Sequence, residues 1–359
     1  MLRTEVTGLG KGMDVSELTA VSLFAGVGGF DLAMQRNGIK TVATVEIDKH
    51  ARGVLERRFP NAKHFTDVTK VTGDELRAAG FIPERGIITG GFPCQDLSVA
   101  GKRAGLAGER SGLYWEIIRL VDELSPAYLV LENVPGLLSS NGGRDMGAVI
   151  GALSTRGYGV SWRVLDAQYF GVAQRRRRVF IVGCAGDTRG TSAEILALGE
   201  GLSGDTPKGR GKKKDFTSDA QTSTLIFDRG SFGNGITINE EITPTLQARM
   251  GTGGNNTPMV AYPFHGAMVG RQEKNGPGGS GFGNANGPEY TLTSSSQALH
   301  GVVTESAVRR LTPTECERLQ GFPDGWTDGQ SDNHRYKQMG NAVAVPVVEW
   351  IMKRLVENV

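Results

Sequence analysis

Short apolar runs alternate with segments of helical period over the first half of the chain. Leu18 to Leu23, Thr41 to Glu46, a short end at Phe65 to Val68, Gly86 to Thr89, Tyr128 to Leu131 and Val179 to Cys184 read as strands. Tyr158 to Asp166 alternates with period two, as a strand does. Asp31 to Arg36, His50 to Phe59, Leu113 to Leu124 and Gly147 to Thr155 read as helices between them. Strand–helix alternation of this kind predicts an α/β fold with a doubly wound sheet. From Asp187 to Ser306 the strand signals weaken, and Gly, Asn, Ser, Thr and Pro dominate. A faint repeat relates Phe232–Gly235, Ile242–Ala248 and Pro258–Val260 to Phe282–Asn284, Glu289–Thr293 and Gly301–Val303. That spacing fits an irregular β-rich insert, and the glycine content equally fits partial disorder. Regular pattern returns with Thr312, Pro313 and Glu315, which spell a capping box, and Gly321 ends that helix. A final amphipathic helix follows Pro346 and is expected to dock back on the first domain. The expected organisation is a loose lead-in at 1–18, a catalytic domain at 19–186, an insert at 187–306 and a returning segment at 307–359.

Composition narrows the classes. The chain has 359 residues, 38% hydrophobic residues and a formal net charge of +2. These values suit a soluble globular protein and exclude a disordered one. No apolar run reaches bilayer length, so no membrane partner is expected. A charge this small does not announce a nucleic-acid binder, so any such surface must come from local clusters. Three scattered cysteines, Cys94, Cys184 and Cys316, give neither metal-ligand spacing nor a disulfide framework. No metal is expected, and a reducing cytoplasm is the natural setting.

The strand ends carry the chemistry. The first strand runs into Phe24-Ala25-Gly26-Val27-Gly28-Gly29-Phe30 and then a helix, the geometry of a nucleotide-binding crossover. Asp31 stands where a dinucleotide fingerprint has its third glycine, so a pyrophosphate is disfavoured. Glu46-Ile47-Asp48 closes the second strand about twenty residues on, where an acid commonly binds ribose hydroxyls. Asp67-Val68 closes the third. That edge suits an adenosine-like ligand without phosphates, such as S-adenosylmethionine. The fourth strand delivers Thr89-Gly90-Gly91-Phe92-Pro93-Cys94-Gln95, a thiol held by glycine and proline at a strand end. Such a thiol is either reactive or an inert strand-end group. Glu132, at the end of the next strand, is either a proton donor or a salt-bridged structural acid. In Gln174-Arg175-Arg176-Arg177-Arg178 side chains must alternate faces, with Gln174, Arg176 and Arg178 on one and Arg175 and Arg177 on the other.

Taken in order, these motifs resemble the cytosine-C5 DNA methyltransferases of bacterial and phage type. The series is Phe24 to Gly29, Glu46, Asp67, Pro93-Cys94-Gln95, Glu132-Asn133-Val134, Gln174-x-Arg176-x-Arg178, Arg310-Leu311-Thr312-x-x-Glu315 and Gly340-Asn341-Ala342-Val343. The resemblance covers nearly everything outside 187–306. It implies a methyltransferase sheet with an inserted target-recognition domain, and methylation of cytosine within a specific duplex DNA sequence. Cys94 would attack C6 of a flipped-out base, Glu132 would serve N3, and Arg178 would contact O2 with Arg176 nearby. S-adenosylmethionine would lie against Phe24, Gly26, Gly28, Gly29, Glu46, Ile47, Asp67, Val68, Leu113, Asn341 and Val343, and leave as S-adenosylhomocysteine. Gln95, Ser98, Lys102, Arg103 and Gln174 would touch DNA, the 96–110 loop closing over it. A companion restriction endonuclease, a monomeric state and a prokaryotic or phage origin are expectations of the same resemblance.

Overall fold

A seven-stranded sheet of order β3-β2-β1-β4-β5-β7-β6 organises the molecule. The computed structural model describes residues 15–93, 112–187, 190–198, 226–229, 236–239, 246, 259–263 and 306–359. The strands are β1 (Thr19–Leu23), β2 (Lys40–Val45), β3 (Lys63–Phe65), β4 (Gly86–Gly91), β5 (Tyr128–Asn133), β6 (Tyr158–Asp166) and β7 (Arg177–Ala185). β1 to β5 pair in parallel, and β7 lies antiparallel between β5 and β6. All five residues of β1 and all six of β5 are buried, as expected for parallel strands covered on both faces.

Helices cover both faces. On one lie α1 (Gly29–Arg36), α2 (Lys49–Arg58), α7 (Pro313–Gln320), α8 (Asp332–Asn341) and α9 (Val345–Glu357). There Phe30, Ala33 and Met34 share a core with Val348, Ile351, Met352 and Leu355. On the other lie α3 (Gly73–Ala78), α4 (Leu113–Leu124) and α5 (Arg144–Ser154), which bury Leu76, Ile117, Leu120, Val149 and Leu153. Among the described residues no helix is long and apolar enough to cross a membrane.

The expected capping box at Thr312 forms, with Glu315 Oε2 accepting from the Thr312 amide at 2.7 Å. Gly321 ends α7 at φ 81°, a conformation glycine adopts without strain. A β-carbon there would lie 2.4 Å from Pro346 Cδ, so the end of α7 seats directly on the start of α9. The last helix returns to the first domain as expected. Arg36 and Glu349 pair at 2.9 Å between α1 and α9, and the Trp326 indole donates to the Val27 carbonyl at 2.8 Å.

Three features depart from the expected layout. α8 is absent from the helices read in the sequence because it carries little apolar periodicity, and Gly340-Asn341 forms its last turn. Leu18 is fully buried and Glu17 pairs with Arg85, so the ordered body begins inside the expected lead-in. The short helix α6 (Thr191–Ile195), capped by Asp187, buries Ile195 and Leu196 in the first core. The packed body therefore continues past residue 187. Beyond it, β8 (Ile226–Arg229), β9 (Ile236–Asn239), β10 (Met259–Pro263) and β11 (Ser306–Arg310) form an antiparallel sheet of order β11-β10-β8-β9. The second half of the faint repeat lies wholly outside the described residues, as does most of the first.

Asp31 is fully buried in α1, and burial pushes its carboxyl up to about 7, against the opposing effect of the Ser22 and Thr41 hydroxyls. The native state therefore holds a proton that the unfolded chain releases between the ordinary value of 3.8 and about 7. Its contribution to stability is complete below that window and falls as pH rises through it, by on the order of 4 kcal/mol. Asp31→Asn removes the titration. The variant is expected to gain stability over the parent progressively from pH 4 to 7, with a constant gap above. Chemical denaturation across pH checks this, and a pH-independent gap would contradict it.

Candidate active site

The carboxyl ends of the parallel strands bring the expected groups to one edge. β4 and β5 run in register, with Gly91 opposite Glu132. A β-carbon at Gly91 would approach Glu132 Oε2 to 3.0 Å, so the second glycine of the Gly90-Gly91 pair leaves room for this carboxyl. Glu132 is only 9% exposed, and its Oε1 pairs with Arg178 Nε at 2.8 Å across the β5–β7 seam. Burial raises the Glu132 pKa, while Arg178 and Arg176 act the other way. Burial thus favours the protonated carboxyl, the form that can donate a proton.

Cys94 lies outside the described residues, as do Gln95, Ser98, Lys102 and Arg103. The approach to Cys94 is nevertheless fixed. Phe92 is buried against Tyr114, and its carbonyl accepts from Asn133 Nδ2 at 2.8 Å. Only Phe92 and Pro93 separate Gly91 from Cys94, a reach of at most about 11 Å. The chain thus leaves β4 beside Glu132, one strand from Arg178. Asn133 is a functional tether that sequence reasoning left without a role, although it stands within the quoted motif.

The arginine run alternates as expected. Gln174 and Arg176 are buried, Arg175 and Arg177 are exposed, and Arg178 turns to Glu132. Two expected roles change. Gln174 was expected at the DNA, but it is fully buried, donating to the Leu319 carbonyl at 3.0 Å and accepting from the Leu246 amide at 3.2 Å. Arg176 was expected beside Arg178 near the base. Its Nη1 and Nη2 instead donate to the carbonyls of Leu246 at 3.2 Å and Gly340 at 3.3 Å. Burial and the Arg178 charge push its pKa down to about 9, so it stays charged at neutral pH. It faces Glu132 as a charge, with two of its donors committed to backbone.

The first loop, Glu46 and the returning segment form a cradle. Phe24 and Gly26 both have positive φ, 53° and 57°. The Gly26 amide donates to Glu46 Oε2 at 2.7 Å and the Asp48 amide to Oε1 at 2.8 Å. A carboxylate has about four lone-pair sites, so Glu46 keeps capacity for two hydroxyls. A β-carbon at Gly28 would strike Phe59 at 2.4 Å, and one at Gly29 would strike Val343 at 2.7 Å. At Gly26 a β-carbon would meet open space. Beside that opening stands Ile47, 76% exposed and the most exposed large hydrophobic side chain among the described residues. Asp67 is held below the ordinary carboxylate range by hydrogen bonds from Thr69. Val68 is buried behind it, Leu113 is half-buried at the start of α4, and Asn341 is exposed at the end of α8. An open glycine turn, acceptors at two strand ends and an uncovered aliphatic side chain fit a nucleoside with its ribose on Glu46 and its base on Ile47. They fit S-adenosylmethionine better than a phosphate-bearing ligand, because acids line the edge. Among the described residues no three His, Cys, Asp or Glu side chains are placed to hold a metal ion.

The chain is similar to known methyltransferases. The type II methyltransferase M.Sau3AI of Staphylococcus aureus is 31% identical over 392 residues, covering 93% of this chain and 94% of that protein. M.HpaII of Haemophilus parainfluenzae, also a type II methyltransferase, is 30% identical over 353 residues, covering 95% and 90%. The fold resembles a DNMT2 mutant of Spodoptera frugiperda, with TM-score 0.60, 16% identity and coverage of 94% and 99%. A Dnmt2 methyltransferase of S. pombe gives 0.60, 16%, 95% and 98%. The family described as C-5 cytosine-specific DNA methylase matches residues 18–357, and the chain belongs to that family as a DNA cytosine-5 methyltransferase.

Proposed function

We propose that the chain methylates C5 of cytosine within a specific duplex sequence, through base flipping and a covalent bond from Cys94 to C6. The observation that carries this reading is the buried Glu132–Arg178 pair beside the strand that leads to Cys94. A stacked base cannot reach a carboxyl that is only 9% exposed, so the cytosine must leave the helix. In the pocket, Arg178 holds Glu132 and offers its remaining donors to O2. As the Cys94 thiolate adds to C6, Glu132 gives its proton to N3, and the electron pair is held as an enamine at C5 rather than as a carbanion. A free thiol is only slightly ionised at neutral pH, so the Arg178 charge also favours the nucleophilic form. When bound, S-adenosylmethionine supplies the methyl group to C5 and leaves as S-adenosylhomocysteine. Loss of the C5 proton to a base then expels Cys94, restores the 5,6 double bond and returns the N3 proton to Glu132.

The cradle of Phe24, Gly26, Gly28, Gly29, Glu46, Ile47, Asp67, Val68, Leu113, Asn341 and Val343 is assigned to the cofactor on its open glycine turn and exposed Ile47. The residues between α6 and β11 are assigned to target recognition, because they fall between a sheet already complete at Ala185 and the helices that return to cover it. The 96–110 loop, with Gln95, Ser98, Lys102 and Arg103, is assigned to the DNA backbone, which makes binding salt-dependent.

Cys94→Ser is expected to bind S-adenosylmethionine normally and to lose methyl transfer by at least 10⁴-fold, since serine is a far poorer nucleophile at this pH. Radiolabel transfer to duplex DNA measures the loss. Wild-type protein with duplex carrying 5-fluorocytosine is expected to form a denaturant-resistant adduct, because fluorine cannot leave as the proton does. Parent-like turnover by the serine variant rules out the covalent route.

Exchange of residues 199–305 for the matching segment of another family member is expected to move the methylated sequence without changing the chemistry. Bisulfite sequencing of DNA from expressing cells reads both, and an unchanged site preference refutes the assignment.

A further inference from the structure

Two buried side chains at the entry of β7 grip both polar groups of a single residue in the insert. The Leu246 amide donates to Gln174 Oε1 at 3.2 Å, and the Leu246 carbonyl accepts from Arg176 Nη1 at 3.2 Å. The Leu246 side chain is 1% exposed and shares the core of Leu311, Leu319 and Met339. The other ends of the same two side chains reach the returning segment. Gln174 Nε2 holds the Leu319 carbonyl in the last turn of α7, and Arg176 Nη2 holds the Gly340 carbonyl in the last turn of α8. One junction therefore joins the catalytic strand, the insert and the segment that carries Asn341 and Val343.

We propose that this junction sets the position of the insert relative to the catalytic strands, and that Gln174 is a positioning residue for target discrimination. The inference rests on the reading that the insert recognises DNA. Burial of the Leu246 side chain anchors the insert, but apolar burial is non-directional and tolerates rotation and sliding. Hydrogen bonds to the amide and the carbonyl of one residue remove both freedoms. Base-edge recognition needs that rigidity, because donors and acceptors in the groove must be met to within a fraction of an ångström. Gln174, Arg176 and Arg178 share one face at a spacing of about 7 Å per pair of residues. The insert is thus referenced to the same strand that presents Arg178 to Glu132, so the base being read and the base being methylated are measured from one origin.

Gln174→Met keeps the volume and removes both hydrogen bonds. With the cognate site first read by bisulfite sequencing, the experiment compares kcat and KM on the cognate duplex and on duplexes with one base pair changed. The variant is expected to raise KM for cognate DNA about tenfold, to lower the cognate-to-changed ratio of kcat/KM about tenfold, and to leave kcat within about threefold. Leu246→Ala, which loosens the same anchor from the insert side, is expected to do the same. The double variant is expected to lose less than the sum of the two, since both act through one contact. If Gln174→Met does not fold, Leu246→Ala alone decides by the same ratio. An unchanged discrimination ratio, or a loss confined to kcat, overturns the proposal. Exchange of 199–305 separates the two failures. If that exchange retargets the enzyme while Gln174→Met keeps full discrimination, only the junction fails. If the exchange leaves the site unchanged, the recognition reading fails with it.

Discussion

A carboxyl group kept out of water against a guanidinium is the constraint on which the catalytic edge depends. Burial favours the protonated carboxyl and the guanidinium opposes it, so the closeness of the contact decides how far each prevails. The Glu132–Arg178 pair makes that contact at 2.8 Å across the seam of an antiparallel and a parallel strand pair. Reversal of β7 is what makes the contact possible. A parallel strand in that place would send the side chains at its start to the far end of the sheet. The glycine at 91, the tether from Asn133 to Phe92 and the alternation of the arginine run all serve to hold this pair beside the thiol strand.

The same economy of contacts governs the edge formed by the first loop and Glu46. Glu46 is not a free strand-end acid. It already binds two backbone amides, and these shape the loop that holds it. The loop rests in turn on residues from the far end of the chain, Trp326 at the Val27 carbonyl and Val343 under Gly29. Arg58 reinforces the union by donating to the Trp326 carbonyl at 3.0 Å while lying 4.8 Å over its ring.

Much of this was legible in the residues. β6 runs over the residues its period-two pattern named, and the capping box at Thr312 forms as read, because both signals are local. The strand-end acids and the arginine alternation were readable for the same reason. α8 was not, since Asp332–Asn341 buries only Tyr336, Gln338, Met339 and Gly340 and its stability comes from neighbours. Gln174 was misread because an amide among arginines looks like a surface group. What buries it is Leu246 and Leu319, one 72 and the other 145 residues away, and no local pattern records such partners. The edge of the packed body was misplaced in the same way, through the tertiary burial of Ile195 and Leu196.

The seating of Val27 and Gly29 on Trp326 and Val343 has a consequence for biosynthesis. The Val27 carbonyl takes its donor, and Gly29 its floor, from residues synthesised about 300 positions later. Such contacts of long sequence separation form late in folding. A nascent chain therefore has no finished first loop until Trp326 and Val343 have been synthesised.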